Sequence, residues 1–299
     1  MSAPSTTHRR YLVVANPATY GNAERLIEAI KDAAPANAVI DVCYTDPVVP
    51  LTDAAIFDAD DLVSVVAVGG DGTVRAVATA IGDRELPVGI IPGGSTNIIA
   101  QELGIPTQPA RAAALIFGPH HLYRMDVGVS GNERFLHIAG AGLDSRFFAA
   151  TDPALKRRVG WRAYVRPALK QLAAPPTRFQ IKVDDAVMHV ASPLVLIANG
   201  TSIMKPALPI YPDVRSNDGW LDVIVFTAVG NLAILQSTAG LVLRRLDRSQ
   251  HVTRIKAKHV ELSSDPPIPV QFDGDVDGET PISVDIKPGA LQVIVPNQA

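Results

Sequence analysis

Leu62-Val63-Ser64-Val65-Val66-Ala67-Val68 is an almost unbroken apolar run that ends on Gly69-Gly70-Asp71-Gly72-Thr73, ahead of a helix-like segment from Val74 to Ile81. A short apolar run that stops at glycine reads as a strand buried on both faces, which suits a parallel sheet covered by helices. Glycines at its end let the backbone approach a polyphosphate, and the N–H groups there and the next helix N-terminus can point at it. A carboxylate is poorly placed against phosphate alone. Asp71 makes sense where a metal ion, or a hydrogen-bond network around one, shares the site. The plain alternative is a tight strand-to-helix turn, which needs fewer glycines and no aspartate.

The rest of the first part repeats this alternation. Tyr11–Ala15 reads as a strand closed by Asn16-Pro17, and Asn22–Ala33 as a helix with Leu26, Ile27 and Ile30 on one face. Ala38–Tyr44 is a strand ending at Thr45, and Pro87–Ile91 a strand ending at Pro92-Gly93-Gly94-Ser95-Thr96-Asn97. A helix from Ile98 stops near Gly104, with Pro106 beyond it. Strands joined by helical crossovers predict a doubly wound parallel sheet whose strand C-termini share one ligand-binding edge. Asn16, Thr45, Gly69–Thr73 and Gly94–Asn97 are expected to converge there. Taken alone, Gly94–Asn97 reads equally well as a helix cap, since Ser, Thr and Asn all cap.

From about Asp126 strand signals dominate: Phe135–Ile138, Phe179–Val183, Val187–Ala191, Leu194–Ala198, Leu221–Phe226, His259–Leu262, Val270–Phe272, Ile282–Ile286 and Leu291–Val295. Asp184-Asp185 reads as a hairpin turn, and helical stretches interrupt near Arg162–Leu172 and Leu232–Leu246. The expected fold class is α/β plus β-rich: an N-terminal doubly wound parallel sheet over 1–125, then a β-rich domain over 126–289. The last strand, 290–299, is a candidate to return to the first domain.

Bulk properties exclude several classes. A net charge of −3 argues against a general nucleic-acid binder, which needs a basic surplus. Cys43 is the one cysteine, which excludes an internal disulfide and favours a reducing cytoplasm. Tyr11–Ala15 is too short for the apolar core of an export signal. The best membrane-span candidate, Trp220–Leu243, contains Asp222, Gly230, Asn231, Gln236 and Gly240, and reads better as a strand, a turn and a helix.

Taken in order, Gly69-Gly70-Asp71-Gly72-Thr73, Pro92-Gly93-Gly94-Ser95-Thr96-Asn97, Asp218-Gly219-Trp220-Leu221-Asp222 and Asp273-Gly274-Asp275 resemble the motifs of the diacylglycerol kinase catalytic family. That family includes bacterial soluble lipid kinases and sphingosine kinases, and the resemblance runs from about Tyr11 to Pro296. The glycine motif alone is shared with NAD kinases and, loosely, phosphofructokinases; the ordered set is specific. The resemblance implies an NAD kinase/diacylglycerol kinase-like first domain with a β-sandwich-like second domain. It implies an ATP-dependent, Mg²⁺-using lipid kinase that transfers the γ-phosphoryl group to the hydroxyl of a membrane lipid such as diacylglycerol. ATP would be held by Asn16, Thr45, Gly69, Gly70, Asp71, Gly72, Thr73, Val74, Arg75, Gly94 and Ser95, with Asn97 supporting the second loop. Asp71 would organise the catalytic Mg²⁺ and its waters, and Asp126 would sit near metal and phosphates. Asp218 would bind a second, structural Mg²⁺ with the backbone carbonyls of Arg215 and Trp220. Asp273 would be the general base. The implied location is cytoplasmic and peripheral at the membrane, in transient contact with an anionic surface; a homodimer stays open.

Two Asp-Gly pairs compete for the base. Asp277-Gly278-Glu279 matches the family's letters, but spacing to Thr280-Pro281 and Pro288–Leu291 favours Asp273, leaving Asp277-Gly278 as a plain turn. Asn217-Asp218-Gly219 is by itself a turn signal, compatible with a metal site. Lys156-Arg157-Arg158, Arg162 and Arg166, with Trp161 and Tyr164, read either as a solvated helix face or as a dock for anionic headgroups. His120-His121 reads as a loop feature. The chain departs from the family at Ser95 for Thr, at Ile98 where many members have Asp, at Asp275 for Glu, in a longer Asn16–Gly21 loop, and at Ser202–Pro206, which lacks the usual glycines. Two other readings stand beside the lipid kinase: an NAD kinase-like kinase of a soluble acceptor, and a non-catalytic nucleotide- or lipid-binding regulator.

Overall fold

The computed structural model describes residues 8–19, 22–46, 51, 57, 59, 61–149, 175–201, 211, 213–227 and 249–297. The helical expectations over 162–172 and 232–246, the basic stretch from Lys156 to Arg166 and the segment Ser202–Pro206 lie outside the described residues. Chain contacts divide the protein into two compact units, Met1–Met125 with Gly289–Ala299, and Asp126–Pro288.

The first unit alternates β1 (Arg9–Ala15), α1 (Ala23–Ala33), β2 (Ala38–Tyr44), β3 (Leu62–Gly69), α2 (Asp71–Ile81), β4 (Val88–Pro92), α3 (Ile98–Glu102) and α4 (Pro109–Phe117). Its strands lie parallel in the order β2-β1-β3-β4. Ala15 stands opposite both Tyr44 and Val68, and Gly69 opposite Pro92, so the strands end together on one edge. The chain steps outward from β1 in both directions, which makes the loops after β1 and β3 flank a topological switch point. Leu26, Ile27 and Ile30 of α1 and Ala112, Ala113 and Ile116 of α4 share a core with Tyr11, Val13, Val66 and Val68. The buried Val74, Val77, Ala78 and Ile81 belong to α2, which packs on β1 and β3. The helix after the glycine loop starts at Asp71, three residues before the periodicity of Val74–Ile81 predicts. Asp71 and Gly72 contribute no apolar side chain to that periodicity.

The second unit contains the end of β5 (His121–Ser130), then β6 (Glu133–Phe135), β7 (Ile138–Gly142), α5 (Leu143–Ala149), β8 (Thr177–Val183), β9 (Ala186–Ser192), β10 (Leu194–Ala198), β11 (Leu221–Phe226), β12 (Val252–Ala257), β13 (His259–Asp265), β14 (Pro269–Phe272), β15 (Asp275–Glu279) and the start of β16 (Ile282–Val295). One sheet runs β12-β11-β10-β7-β14-β15, with every pair antiparallel; in the other, β13 joins β16 to β8, and β8 joins β9. Ile197, Val223, Val270 and Phe272 from the first sheet share one core with Phe135, Phe179, Ile181, Val260, Leu262 and Val284 from the second. This is a β-sandwich, with side chains of two inner faces filling the space between sheets. Alternation in Thr177–Val183, buried at every second residue, gives the pattern that the sequence shows there.

Three expectations change. Ile282–Ile286 and Leu291–Val295 are one continuous strand, β16, which pairs with β13 at Ile282–Asp285 and with Val88 of β4 at Val293. His121 opens β5 rather than lying in a loop. Asp277-Gly278 is not a turn: both residues lie in the exposed strand β15, where Gly278 takes a positive φ of 70° beside a register shift.

Candidate functional site

In the first unit the strand ends bring three loops into contact. A Cβ on Gly94 would lie 2.5 Å from the Gly70 Cα, and one on Gly93 would meet Thr19 and Leu26 side chains at 2.3 and 2.9 Å. The two glycine loops therefore touch backbone to backbone, and Gly93 N–H donates to the Gly69 carbonyl at 2.8 Å. Asn97 closes the second loop on itself: its Oδ1 accepts from Gly94 N–H and its Nδ2 donates to the Gly94 carbonyl, both at 2.8 Å, with Asn97 in the left-handed region at φ 48°. Asp71, at the first helical position of α2, fastens the loops together. Its Oδ1 accepts from Ile99 N–H at 3.0 Å and its Oδ2 from the Thr96 hydroxyl at 3.1 Å.

The remaining expected nucleotide residues fall around this edge. Asn16 Oδ1 accepts from Ala18 N–H at 2.9 Å, shaping the loop after β1, and Thr45 N–H donates to Ala15 at 2.9 Å. Ser95 and Gly72 are exposed, and Arg75 is half-buried. Thr73 is buried, packs its side chain where a Gly69 Cβ would stand, and has a hydroxyl with no hydrogen-bond partner. Val74 differs from the rest: its side chain is buried and its N–H closes the first helical turn on Gly70.

In the second unit Asp273 and Gly274 form the two-residue turn between β14 and β15, where Phe272 pairs with Asp275. Positive φ at both, 51° and 90°, is the signature of a type I′ hairpin turn, for which Asp-Gly is a favoured sequence. The Asp273 carboxylate points back at the break between β6 and β7. It accepts backbone N–H groups from Leu136 at 2.8 Å, His137 at 2.9 Å and Ile138 at 2.9 Å. The expected single strand Phe135–Ile138 is split in two at the residues whose N–H groups turn to this carboxylate.

Asp126 is buried in the same unit. Its Oδ2 accepts from Gly219 N–H at 2.7 Å and its own N–H donates to the Ser216 carbonyl at 2.6 Å, so it holds the turn that contains Asp218. Asn199, fully buried, donates to the carbonyls of Asp126 and Leu136 at 2.8 and 2.9 Å. It thereby connects Asp126 to the backbone that cradles Asp273. On the other side of the turn, Gln271 accepts from Gly274 N–H at 2.6 Å and donates to Asp144 Oδ2 at 3.0 Å. Burial is the main cause that pushes the Asp144 carboxyl up to about 6, opposed by the hydrogen bonds from Gln271 and Ser145. Asn199, Gln271 and Asp144 are not among the predicted site residues: Gln271 is a single polar letter inside the apolar strand β14, whereas Asn199 just follows β10 and Asp144 lies in the first turn of α5, where the letters give no signal.

The metal position expected at Asp218 has different occupants. Asp218 Oδ1 accepts from Trp220 N–H at 3.0 Å, and its Oδ2 lies 2.6 Å from the Lys256 ammonium. Arg215 and Trp220 are exposed, and Lys258 sits 4.8 Å above the Trp220 ring. No cluster of three or more His, Cys, Asp or Glu suited to a metal ion occurs among the described residues. A carboxylate already bonded to an ammonium does not suit a divalent cation. At Asp71, by contrast, two glycine loops bring bare backbone together at the strand ends, and the buried Thr73 hydroxyl lacks a partner, so this edge does fit a phosphate-bound group.

Comparison with known proteins agrees with this architecture. Residues 10–129 match the diacylglycerol kinase catalytic domain, and residues 137–295 match the YegS C-terminal NAD kinase beta sandwich-like domain. The chain therefore belongs to the diacylglycerol kinase catalytic family, and so to a family of kinases. It is 27% identical over 248 residues to "Putative lipid kinase SAS0691" of Staphylococcus aureus (strain MSSA476), covering 80% of this chain and 79% of that one. It is also 27% identical over 304 residues to "Uncharacterized protein sll0036" of Synechocystis sp., covering 95% of this chain and 70% of that one. The fold is that of the crystal structure of "a putative diacylglycerol kinase" from Bacillus anthracis str. Sterne, at TM-score 0.76 and 24% identity, covering 98% of this chain and 97% of that one.

Proposed function

We propose that the chain is an ATP-dependent lipid kinase that phosphorylates the hydroxyl of a membrane lipid such as diacylglycerol, working at the membrane surface from the cytoplasm. The observation that carries the nucleotide half is the backbone contact of Gly69-Gly70 with Gly93-Gly94 at the strand edge, with Asp71 tying the loops together. In this reading the N–H groups at the start of α2 and the loops around Asn16, Thr45 and Ser95 bind ATP. Mg²⁺ bound with the nucleotide near Asp71 would neutralise charge on the phosphates. Phosphoryl transfer asks the protein mainly for positioning and electrostatic stabilisation, with a base near the attacking oxygen. Asp273 is the proposed base; its three backbone hydrogen bonds fix where the carboxylate stands. The family's kinase identity and the lipid-kinase name of a relative support the acceptor class.

The test is transfer of label from ATP, with Mg²⁺, to a panel of lipids in mixed micelles. Transfer to a lipid hydroxyl is expected, with turnover in Asp273→Asn lowered at least about 100-fold while ATP binding persists. Full activity in Asp273→Asn removes Asp273 as base. Phosphorylation of NAD with every lipid ignored replaces the reading by an NAD kinase-like one. ATP binding with no transfer to any acceptor replaces it by a nucleotide-binding regulator.

A further inference from the structure

The segment from Asp213 to Asp222 carries three carboxylates, and the strand beside it supplies the cations that meet them. Arg254 and Lys256 occupy alternate positions of β12, so both project from one face, and Lys258 continues the alternation just past its end. Arg254 Nε lies 2.6 Å from the buried Asp222 Oδ1, while its NH1 bonds both oxygens of Asp213 at 2.8 and 2.9 Å. The same guanidinium stacks 4.6 Å from the Tyr211 ring. Lys256, paired in register with Asp222 across β11 and β12, reaches Asp218 Oδ2 at 2.6 Å. Asp126 completes the set by holding Gly219 N–H. Each of Asp213, Asp218 and Asp222 thus has a cationic side chain of this protein on it.

We propose that Lys256 takes the place of a divalent cation at the Asp218 loop, so that the 213–222 segment is held by protein cations and folds independently of metal. An ammonium is a compact point charge with several donors, able to meet a carboxylate where a hard cation would otherwise sit. A divalent ion brought to the same oxygen would meet the like charge of Lys256 at short range, which opposes its binding. The inference concerns the folding of the second unit and does not depend on the kinase reading.

The experiment uses the full chain without nucleotide or lipid, so neither catalysis nor a phosphate-bound metal contributes. Thermal unfolding is measured in excess EDTA and in millimolar Mg²⁺ or Ca²⁺, with Mg²⁺ binding followed by calorimetric titration. Wild type is expected to show the same Tm in both conditions. Lys256→Met is expected to lose several degrees in EDTA and to recover on adding either ion, whereas Lys256→Arg stays metal-independent. The double variant Lys256→Met, Asp218→Asn is expected not to recover. A wild-type Tm that falls on chelation, or a wild-type Mg²⁺ isotherm that Asp218→Asn abolishes, overturns the proposal. So does a Lys256→Met chain whose Tm ignores both ions. If Lys256→Met does not fold, the wild-type chelation and Asp218→Asn measurements still decide.

Discussion

Asp144 and Asp273 belong to the same unit and have opposite surroundings. Asp273 meets three backbone N–H groups, whereas Asp144 is held by one side-chain amide and one backbone N–H and sits in a poorly solvated place. Desolvation penalises the charged form of Asp144, raising its folded-state value from 3.8 to about 6. The folded chain therefore holds that proton more tightly than the unfolded one. The resulting stabilisation is fully present below the unfolded value and is lost as pH rises through about 6. A shift of about two units corresponds to roughly 3 kcal/mol at most. Urea unfolding of wild type and Asp144→Asn should show the stability difference moving in the variant's favour by up to that amount between about pH 4 and pH 7. A difference that stays constant across this range contradicts the assignment. Asp273→Asn keeps a residue type that tolerates positive φ, yet sets an amide NH₂ against one of three backbone donors. A loss of about 1–3 kcal/mol is expected in denaturant unfolding, so activity of this variant has to be read beside its folded fraction.

At the scale of elements, glycine positions separate two kinds of constraint. Gly94 touches the Gly70 backbone, which no rotamer change can relieve: its added Cβ would stand 2.5 Å from Gly70 Cα, against 3.2 Å for the reverse substitution. Gly94→Ala is therefore expected to push the loops apart and cost about 1–3 kcal/mol, with a larger loss of ATP affinity than Gly70→Ala in calorimetric titration. Equal affinities in the two variants would refute this. Gly274 is constrained by its φ of 90° instead, and Gly274→Ala should destabilise the β14–β15 hairpin without touching nucleotide affinity. Much of this scale was legible: β2, β10 and β11 have the bounds that their apolar runs predict. The glycine loops stood out because few other residues could occupy them. Other elements were not legible for physical reasons. The Ala-rich α4 has little contrast between faces, and two Asp-Gly pairs four residues apart look alike until pairing of Phe272 with Asp275 chooses the first as the turn. The alternation Arg254, Lys256, Lys258 was present in the letters, but only the facing Asp213, Asp218 and Asp222 give it meaning.

For the whole molecule, β16 matters most, because it is the last strand in sequence and serves both units. Its first residues pair with β13, while Leu291, Val293, Ile294 and Val295 are buried in the first unit, where Val293 lies opposite Val88 of β4. The sequence reads as two separate strands here, Ile282–Ile286 and Leu291–Val295, with Pro288-Gly289 between them. Gly289, at φ 60°, lets the chain pass that point without ending the strand. Four apolar side chains leaving the core cost about 1.5–3 kcal/mol each, a sum comparable to the 5–15 kcal/mol that holds a typical domain folded. A chain ending at Pro288 should therefore lose the first unit's cooperative unfolding and its ATP binding. The second unit keeps its β13 pairing and should retain a β-rich far-UV signal. Circular dichroism melting of the truncated chain, with and without ATP, checks both halves. A single transition near the wild-type Tm, still raised by ATP, would show that the first sheet closes without its last strand.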